Sequence, residues 1–388
     1  MLVYWVWFSE LNIPLAEKHR LLSQYGDPES LYHTTAVKQE DKDLTTAEEI
    51  LRKCKEKNIS VLPADDPAYP FRLRNTPDAP ILLYYKGILP DWDAAPLIGV
   101  VGTRKASAYG LQVAHQMGYQ IARCGGIVVS GGTSGIDTAA MQGALDAGCP
   151  VIGVLGCGVD VVYPRSNRKL FEALLENGCL ISEYPPETQG MPWHFPARNR
   201  IISGVANGTL IVEAPEKSGA LITARWALEQ GRDVFVVPGN INTVTCVGSN
   251  ALLQEGAMPV FSGWDVVRNY EVLYPGKLQK TGKSTIFAPE TTPAKVAQPV
   301  QIPHDGEDSR KKIIDNKENS TYSVLENRKP ALSDEEQAVL AQLTRDPKEM
   351  SEVIAKLEMS SGKVMSVLTT LTIKGLAAKH PGGRFSLK

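Results

Sequence analysis

From Leu97 onward, short apolar runs alternate with longer stretches of helical period, and this alternation decides the reading of the chain. LIGVV (from 97), IVVS (127), VIGVL (151), CLISE (179), TLIVEA (209), DVFVVPG (233) and MPVF (258) are nearly continuous apolar runs. Runs of that kind suit strands buried on both faces. Between them, YGLQVAHQMGYQIARCGG and NRKLFEALLENG place apolar residues three and four apart and close in glycine, as a helix C-cap does. Strand and helix alternation of this sort predicts an α/β fold: a Rossmann-like, doubly wound, mostly parallel sheet whose ligands sit at the carboxyl ends of the strands.

The flanks differ. Up to about residue 65 the pattern is helical and charged (LAEKHRLLSQYG, TAEEILRKCKEKN), predicting a small N-terminal helical domain over 1–65. A Pro-studded connector, DDPAYPFRLRNTPDAPILLYYKG, leads into the Rossmann-like domain, 66–275. Residues 276–330 are polar and rich in Lys, Pro and Thr, which predicts a flexible linker. Its PGKLQKTGKST is not a P-loop, because Gly276 stands one residue too far from Gly282 and no strand precedes it. Over 331–388, a capped helix opening at Ser333, two further helical stretches and a Gly-Gly hairpin match a winged helix. Its last 30 residues carry Lys363, Lys374, Lys379, Arg384 and Lys388 and no acid, leaving nucleic acid and a protein surface both open as its partner.

Composition narrows the class. The 388 residues are 43% hydrophobic and 22% charged, enough for one large core with satellites, and the net charge of −2 gives no global sign of nucleic acid. The six cysteines form no C-x-x-C pair and no zinc spacing, so buried reduced thiols are expected. MLVYWVWFSELNIP lacks a basic leader and a cleavage site, and no run reaches the roughly 18 apolar residues that span a bilayer. A soluble, cytoplasmic chain with no membrane contact is expected.

The candidate chemistry lies in loops after the strands. VVGTRKASAYG offers Gly102 for a tight turn, Arg104 and Lys105, and Ser107 as a helix cap. SGGTSGID supplies Ser130, Gly132, Thr133, Ser134, Gly135 and Asp137 at the head of a helix. YPRSNRKLF places Arg165, Arg168 and Lys169 around a helix start with Phe171 one turn in. FPARNRIISG adds Arg198, Asn199 and Arg200. Backbone N–H groups at helix starts and guanidinium forks both favour phosphate. Several such loops at one end of a sheet resemble a track for successive phosphates more than a pocket for one. No G-x-G-x-x-G follows a strand, as a dehydrogenase would need, and neither a nucleophile elbow nor H-E-x-x-H is present. His194 reads as a packing residue, Phe171 as either core or a base-stacking ring, and Glu213 and Asp137 as either acid and base or caps and ion-pair partners.

Taken together, VVGTRKASAYG, VVSGGTSGID, VIGVLGCGVDVVYPRSN, LISEYPP, FPARNRIISG, TLIVEAPEKSGALITARWALEQGRDVFVVPG and GSNALLQEGA resemble the DNA processing family DprA/Smf, in order from about Pro63 to Phe261. The N-terminal helices are similar to that family's sterile-alpha-motif or helix-hairpin-helix-like domain, and the C-terminal unit to its winged helix. The resemblance implies a non-enzymatic, sequence-independent binder of single-stranded DNA that needs no cofactor or metal. It further implies a homodimer through the Rossmann-like domain that protects incoming DNA in natural transformation and loads the RecA recombinase; GSNALLQEGAMPVF, ending the sheet, offers the apolar pair Leu252 and Leu253 for that interface. It implies phosphate contacts from Arg104 and from Arg168 or Arg165, stacking by Phe171, and a pocket lined by Asn199 and Thr223; Ser218 is a further expected DNA-binding residue. Thr133 stands where the family usually has alanine and Met141 where it usually has histidine. The alternative is a nucleotide- or phosphoribosyl-binding hydrolase of the related Rossmann-like superfamily, whose Pro-Gly-Gly-x-Gly-Thr stretch this chain lacks.

Overall fold

A computed structural model describes residues 1–281 and, with gaps, 333–387. The chain divides into two units, Met1–Lys295 and Val296–Lys388. The first is built on a nine-stranded sheet of order β1-β2-β6-β5-β4-β3-β7-β8-β9. The strands are β1 (Ser60–Pro63), β2 (Leu82–Gly87), β3 (Leu97–Val101), β4 (Ile127–Ser130), β5 (Val151–Val154), β6 (Cys179–Ser182), β7 (Gly208–Ile211), β8 (Asp233–Val236) and β9 (Met258–Pro259). From β6 to β9 all pairings are parallel, while β1 and β2 add an antiparallel edge. The seven apolar runs of the sequence are the seven parallel strands. β1, a four-residue SVLP, carries too short a pattern to stand out.

Alternate side chains of these strands feed two cores, as a pleated sheet requires. Ile98, Val100 and Val128 face α6 (Ala108–Arg123), α7 (Ile136–Asp146) and α8 (Arg168–Asn177). Leu97, Val101 and Val129 face α9 (His194–Val205) and α10 (Gly219–Glu229). The doubly wound expectation holds. α6 and α7 lie almost backbone to backbone. A Cβ on Gly143 would stand 1.9 Å from the His115 carbonyl oxygen, so only glycine fits there.

The first four helices, α1 (Leu2–Glu10), α2 (Leu15–Tyr25), α3 (Pro28–Tyr32) and α4 (Thr45–Glu56), do not form a core of their own. Trp5, Val6, Trp7 and Phe8 join the same cluster as Val113 of α6 and Leu180 of β6. α1 is apolar all round, and a helix of that kind needs cover on every side. At the other end, the segment expected to leave the domain at Gly276 stays on it as far as Thr281. Leu278 packs on the core and the Gln279 N–H donates to the Cys124 carbonyl at 3.2 Å. The rest of the 276–330 segment lies outside the described residues. All six cysteines are free thiols, and five of them are buried.

In the second unit Ser333 and Glu336 form a capping box on the helix Asp334–Gln342. Lys348–Glu349, Ala377–His380 and Arg384–Leu387 make a three-stranded antiparallel sheet over Val339, Val353, Leu368 and Phe385. Of the basic residues expected to form an edge, Lys363 pairs with Glu335 at 2.5 Å, while Lys374 and Lys388 lie outside the described residues.

Gly143→Val tests the α6–α7 contact. Overpacking of this kind costs about 1–3 kcal/mol or more, so the urea midpoint should fall with the slope unchanged. An unchanged midpoint would show that the two helices can separate freely.

Candidate nucleic-acid interface

The strand order reverses at β3, with β4 on one side and β7 on the other. Open α/β sheets bind ligands at such a switch point. Here the carboxyl ends of β3, β4 and β7 border a cleft of about 590 Å³. Its walls are the Gly102–Lys105 loop, Thr133 and Asp137, the start of α9, and the turn from Pro215 into α10.

Buried polar groups build these loops from below. Glu213, at the end of β7, accepts hydrogen bonds from Ser107 N (2.9 Å) and Ser107 Oγ (2.6 Å). Ser107 Oγ in turn accepts from Gly110 N at 2.9 Å, capping α6. The positive end of α6, the usual seat of a pyrophosphate, is therefore filled by the protein's own carboxylate. Gly135, at φ +85°, turns the second loop into α7, where a Cβ would stand 2.4 Å from Thr103 O. Asp137 then accepts from Thr133 Oγ1 (2.9 Å) and Thr133 N (3.3 Å). Burial pushes its carboxyl above the usual range, against the pull of nearby Arg198. Asn167 Nδ2 donates to Gly132 O (2.9 Å) and Thr138 Oγ1 (2.7 Å), tying the third loop to the second. α10 is different. Ser218 caps it through Ala220 N, Asn199 Nδ2 donates to Gly219 O at 3.2 Å, and the buried Thr223 Oγ1 on the cleft wall has no protein partner.

The basic residues divide into two kinds. Arg198 is structural: it is buried and donates to the carbonyls of Gly131 (2.7 Å) and Val154. Burial lowers its pKa to about 10. Arg200 also belongs to the scaffold, paired with Glu183 at 2.5 Å and Asp78 at 3.3 Å. By contrast Arg104, Lys105, Lys217, Arg165, Arg168 and Lys169 are all exposed. The Arg104 guanidinium lies 4.6 Å over the Phe195 ring.

Four further sequence expectations need correction, those for Phe171, Ser130, Ser107 and Gly102. Phe171 is only 3% exposed, and its ring packs so closely on Gly132 that a Cβ there would stand 2.9 Å away; it is a core residue. Ser130 is buried and donates to Val100 O at 2.6 Å. The Ser107 side chain is fully engaged at its cap. Gly102 needs no special turn; it is required because a Cβ would strike Ile136 and the Glu213 carbonyl. Leu252 and Leu253 are partly buried and pack on the core, whereas Met258 and Phe261 beside them are 40% and 63% exposed. Glu213 closes the start of α6 through Ser107, and Asp137 ties the Thr133 loop to the first turn of α7. His194 stacks on Tyr184 at 4.0 Å, a packing role.

The sequence reading missed two aromatic residues. Trp193 is 63% exposed and Tyr163 41%, with the Tyr163 ring 5.1 Å from that of Phe195. Each stands next to proline or its neighbour in a basic loop (YPRSNR, MPWHFPAR), which was the available signal. Among the described residues no group of His, Cys, Asp and Glu could hold a metal, and no helix is long and apolar enough to cross a membrane.

Comparison with known proteins agrees with this layout. The chain matches the family model for DNA recombination-mediator protein A over residues 60–271, and that for the DprA winged helix domain over 325–383. It is 42% identical over 217 residues to the DNA processing protein DprA of Bacillus subtilis, covering 56% of this chain and 73% of that one. It is 32% identical over 357 residues to Protein Smf of a Synechocystis species, covering 87% of this chain and 82% of the other. Among solved structures it is similar to DprA of Streptococcus pneumoniae, with TM-score 0.56 and 36% identity over 66% of this chain and 87% of that one.

Because Phe171 is core, Phe171→Ala should lower stability by about 3–5 kcal/mol, measured by denaturant unfolding. A stable variant would return Phe171 to the surface role.

Proposed function

We propose, since this chain belongs to the DprA/Smf family of DNA recombination mediators, that its cleft and the basic loops beside it hold single-stranded DNA without regard to sequence. The observation that carries the proposal is the division of the cations. Arg198 and Arg200 are locked into the scaffold, while Arg104, Lys105, Lys217 and Arg168 stand exposed on successive loops at one end of the sheet. Cations set out in this way neutralise a backbone rather than enclose one phosphate. Trp193 and Tyr163 supply exposed rings, and stacking on rings accepts any base. Thr223 Oγ1 and the start of α10 offer donors for one phosphate within the cleft.

In this reading the protein does no chemistry. It covers single strands in the cytoplasm and passes them to the RecA recombinase, as the resemblance implies for natural transformation. We also propose a homodimer across the β9 edge, where Met258 and Phe261 are exposed apolar side chains a few residues after Leu252 and Leu253. An isologous contact would cover them. The winged helix is proposed as a second, separate binding unit.

Fluorescence polarisation with labelled oligo-dT over a salt series tests the surface. Arg104→Ala with Arg168→Ala should flatten the log–log slope by about 0.7 per lost phosphate contact; an unchanged slope contradicts the assignment. Trp193→Ala should leave the slope intact and weaken binding by about 1–3 kcal/mol, the usual worth of a stacked base. For the dimer, Phe261→Arg should give monomers by light scattering. A wild type that is itself monomeric at micromolar concentration disposes of that interface.

A further inference from the structure

The helices that precede the sheet reach two loops beside the cleft, those after β5 and β6. α4 presents Lys53 in its last turn, and Lys57 follows one turn on at its C-cap. Opposite them are Asp160, in the loop after β5 that leads to Tyr163, and Glu187, in the loop after β6 that leads to Trp193. Lys57 Nζ lies 2.5 Å from Asp160 Oδ2 and 2.8 Å from Glu187 Oε1. Lys53 Nζ lies 3.0 Å from Glu187 Oε2 and 3.1 Å from Glu49 Oε1.

The two loops are also tied to each other. Glu187 N donates to Asp160 Oδ1 at 2.9 Å, and Gly158 N to Thr188 O at 2.9 Å. Glu187 holds φ +70°, a left-handed conformation that side chains other than glycine adopt only when the surroundings enforce it. The two lysines hold the Glu187 carboxyl far down, at about 2, so it stays ionised at any ordinary pH. Beyond this knot Gly190 sits against the Phe195 ring, and His194 N bonds to Met191 O. The position of Trp193 is thereby linked to the knot through the five residues 188–192.

We infer that Lys53, Lys57 and Glu187 are positioning residues for the DNA surface: the N-terminal helices clamp both loops, and so fix where Tyr163 and Trp193 present their rings. The inference rests on the single-strand reading above. Pre-ordering the loops removes an entropy loss that binding would otherwise bear.

The sign of one substitution separates the clamp from plain electrostatics. Glu187→Gln removes a negative charge near a polyanion site, which by charge alone tightens binding. The clamp predicts the opposite: oligo-dT affinity about fivefold weaker, the scale of one or two partly exposed ion pairs lost. Lys57→Ala should weaken binding to a similar degree with the salt slope unchanged, because its charge faces Asp160 and Glu187. The double variant should lose no more than the worse single variant, since both act through one contact. Hydrogen exchange over 184–193 should quicken in each, while the melting temperature stays close to that of the wild type. If the wild type binds oligo-dT and Glu187→Gln binds equally or more tightly, the clamp is wrong and the DNA surface stands. A wild type that does not bind oligo-dT overturns both.

Discussion

One buried carboxylate fills the helix end at which a dinucleotide-binding sheet takes its ligand. Glu213 sits at the end of β7 and takes both the backbone N–H and the hydroxyl of Ser107 at the head of α6. In a dinucleotide-binding fold that helix end is where pyrophosphate docks. With that side chain in place, Ser107 N, Ser107 Oγ and Gly110 N are already engaged, and a phosphate there would find none of these donors free. The Gly102–Lys105 loop is held closed over Glu213 by Thr103 N, which donates to the Glu213 carbonyl at 2.7 Å. The side chains of Arg104 and Lys105 are left facing outward.

The same division of labour runs through the rest of the cleft. Asp137, Asn167, Arg198 and Ser130 are buried, and their hydrogen bonds go to neighbouring loops and strand ends. Removing a partner from such a network strands a desolvated polar group, so these residues are needed for the shape of the surface. The exposed cations and rings above them have few partners of their own. A rigid base carrying unengaged charge and aromatic area suits a flexible, repetitive polyanion better than a small ligand that must be enclosed. The knot of Lys53, Lys57, Asp160 and Glu187 extends that base into the N-terminal helices.

Legibility in the sequence followed the range of the forces involved. The parallel strands were visible because burial on both faces makes each one a continuous apolar run, as in LIGVV and VIGVL. Loop positions followed from where those runs end. The fate of individual side chains did not. Arg104 and Arg198 both stand in Gly- or Pro-flanked basic stretches, and only the passage of α9 across the ends of β4 and β5 buries one and leaves the other out. Phe171 and Trp193 differ in the same way: the 3.6-residue period of α8 turns Phe171 inward, while Trp193 precedes its helix and escapes the core. α1 was read as part of a charged helical domain, because its neighbours LAEKHR and EEILRKCKEK masked a helix with no polar face.

In our proposal the carboxyl edge of the main sheet is the surface that meets single-stranded DNA. Photocrosslinking of the full-length protein to an oligo-dT containing 5-iodouracil, followed by peptide mass mapping, tests it most directly. Stacked aromatic rings are the favoured partners of the excited base, so the account predicts adducts on Trp193 or Tyr163. Adducts confined to residues 333–388, with none in the loops after β5 and β6, would contradict it.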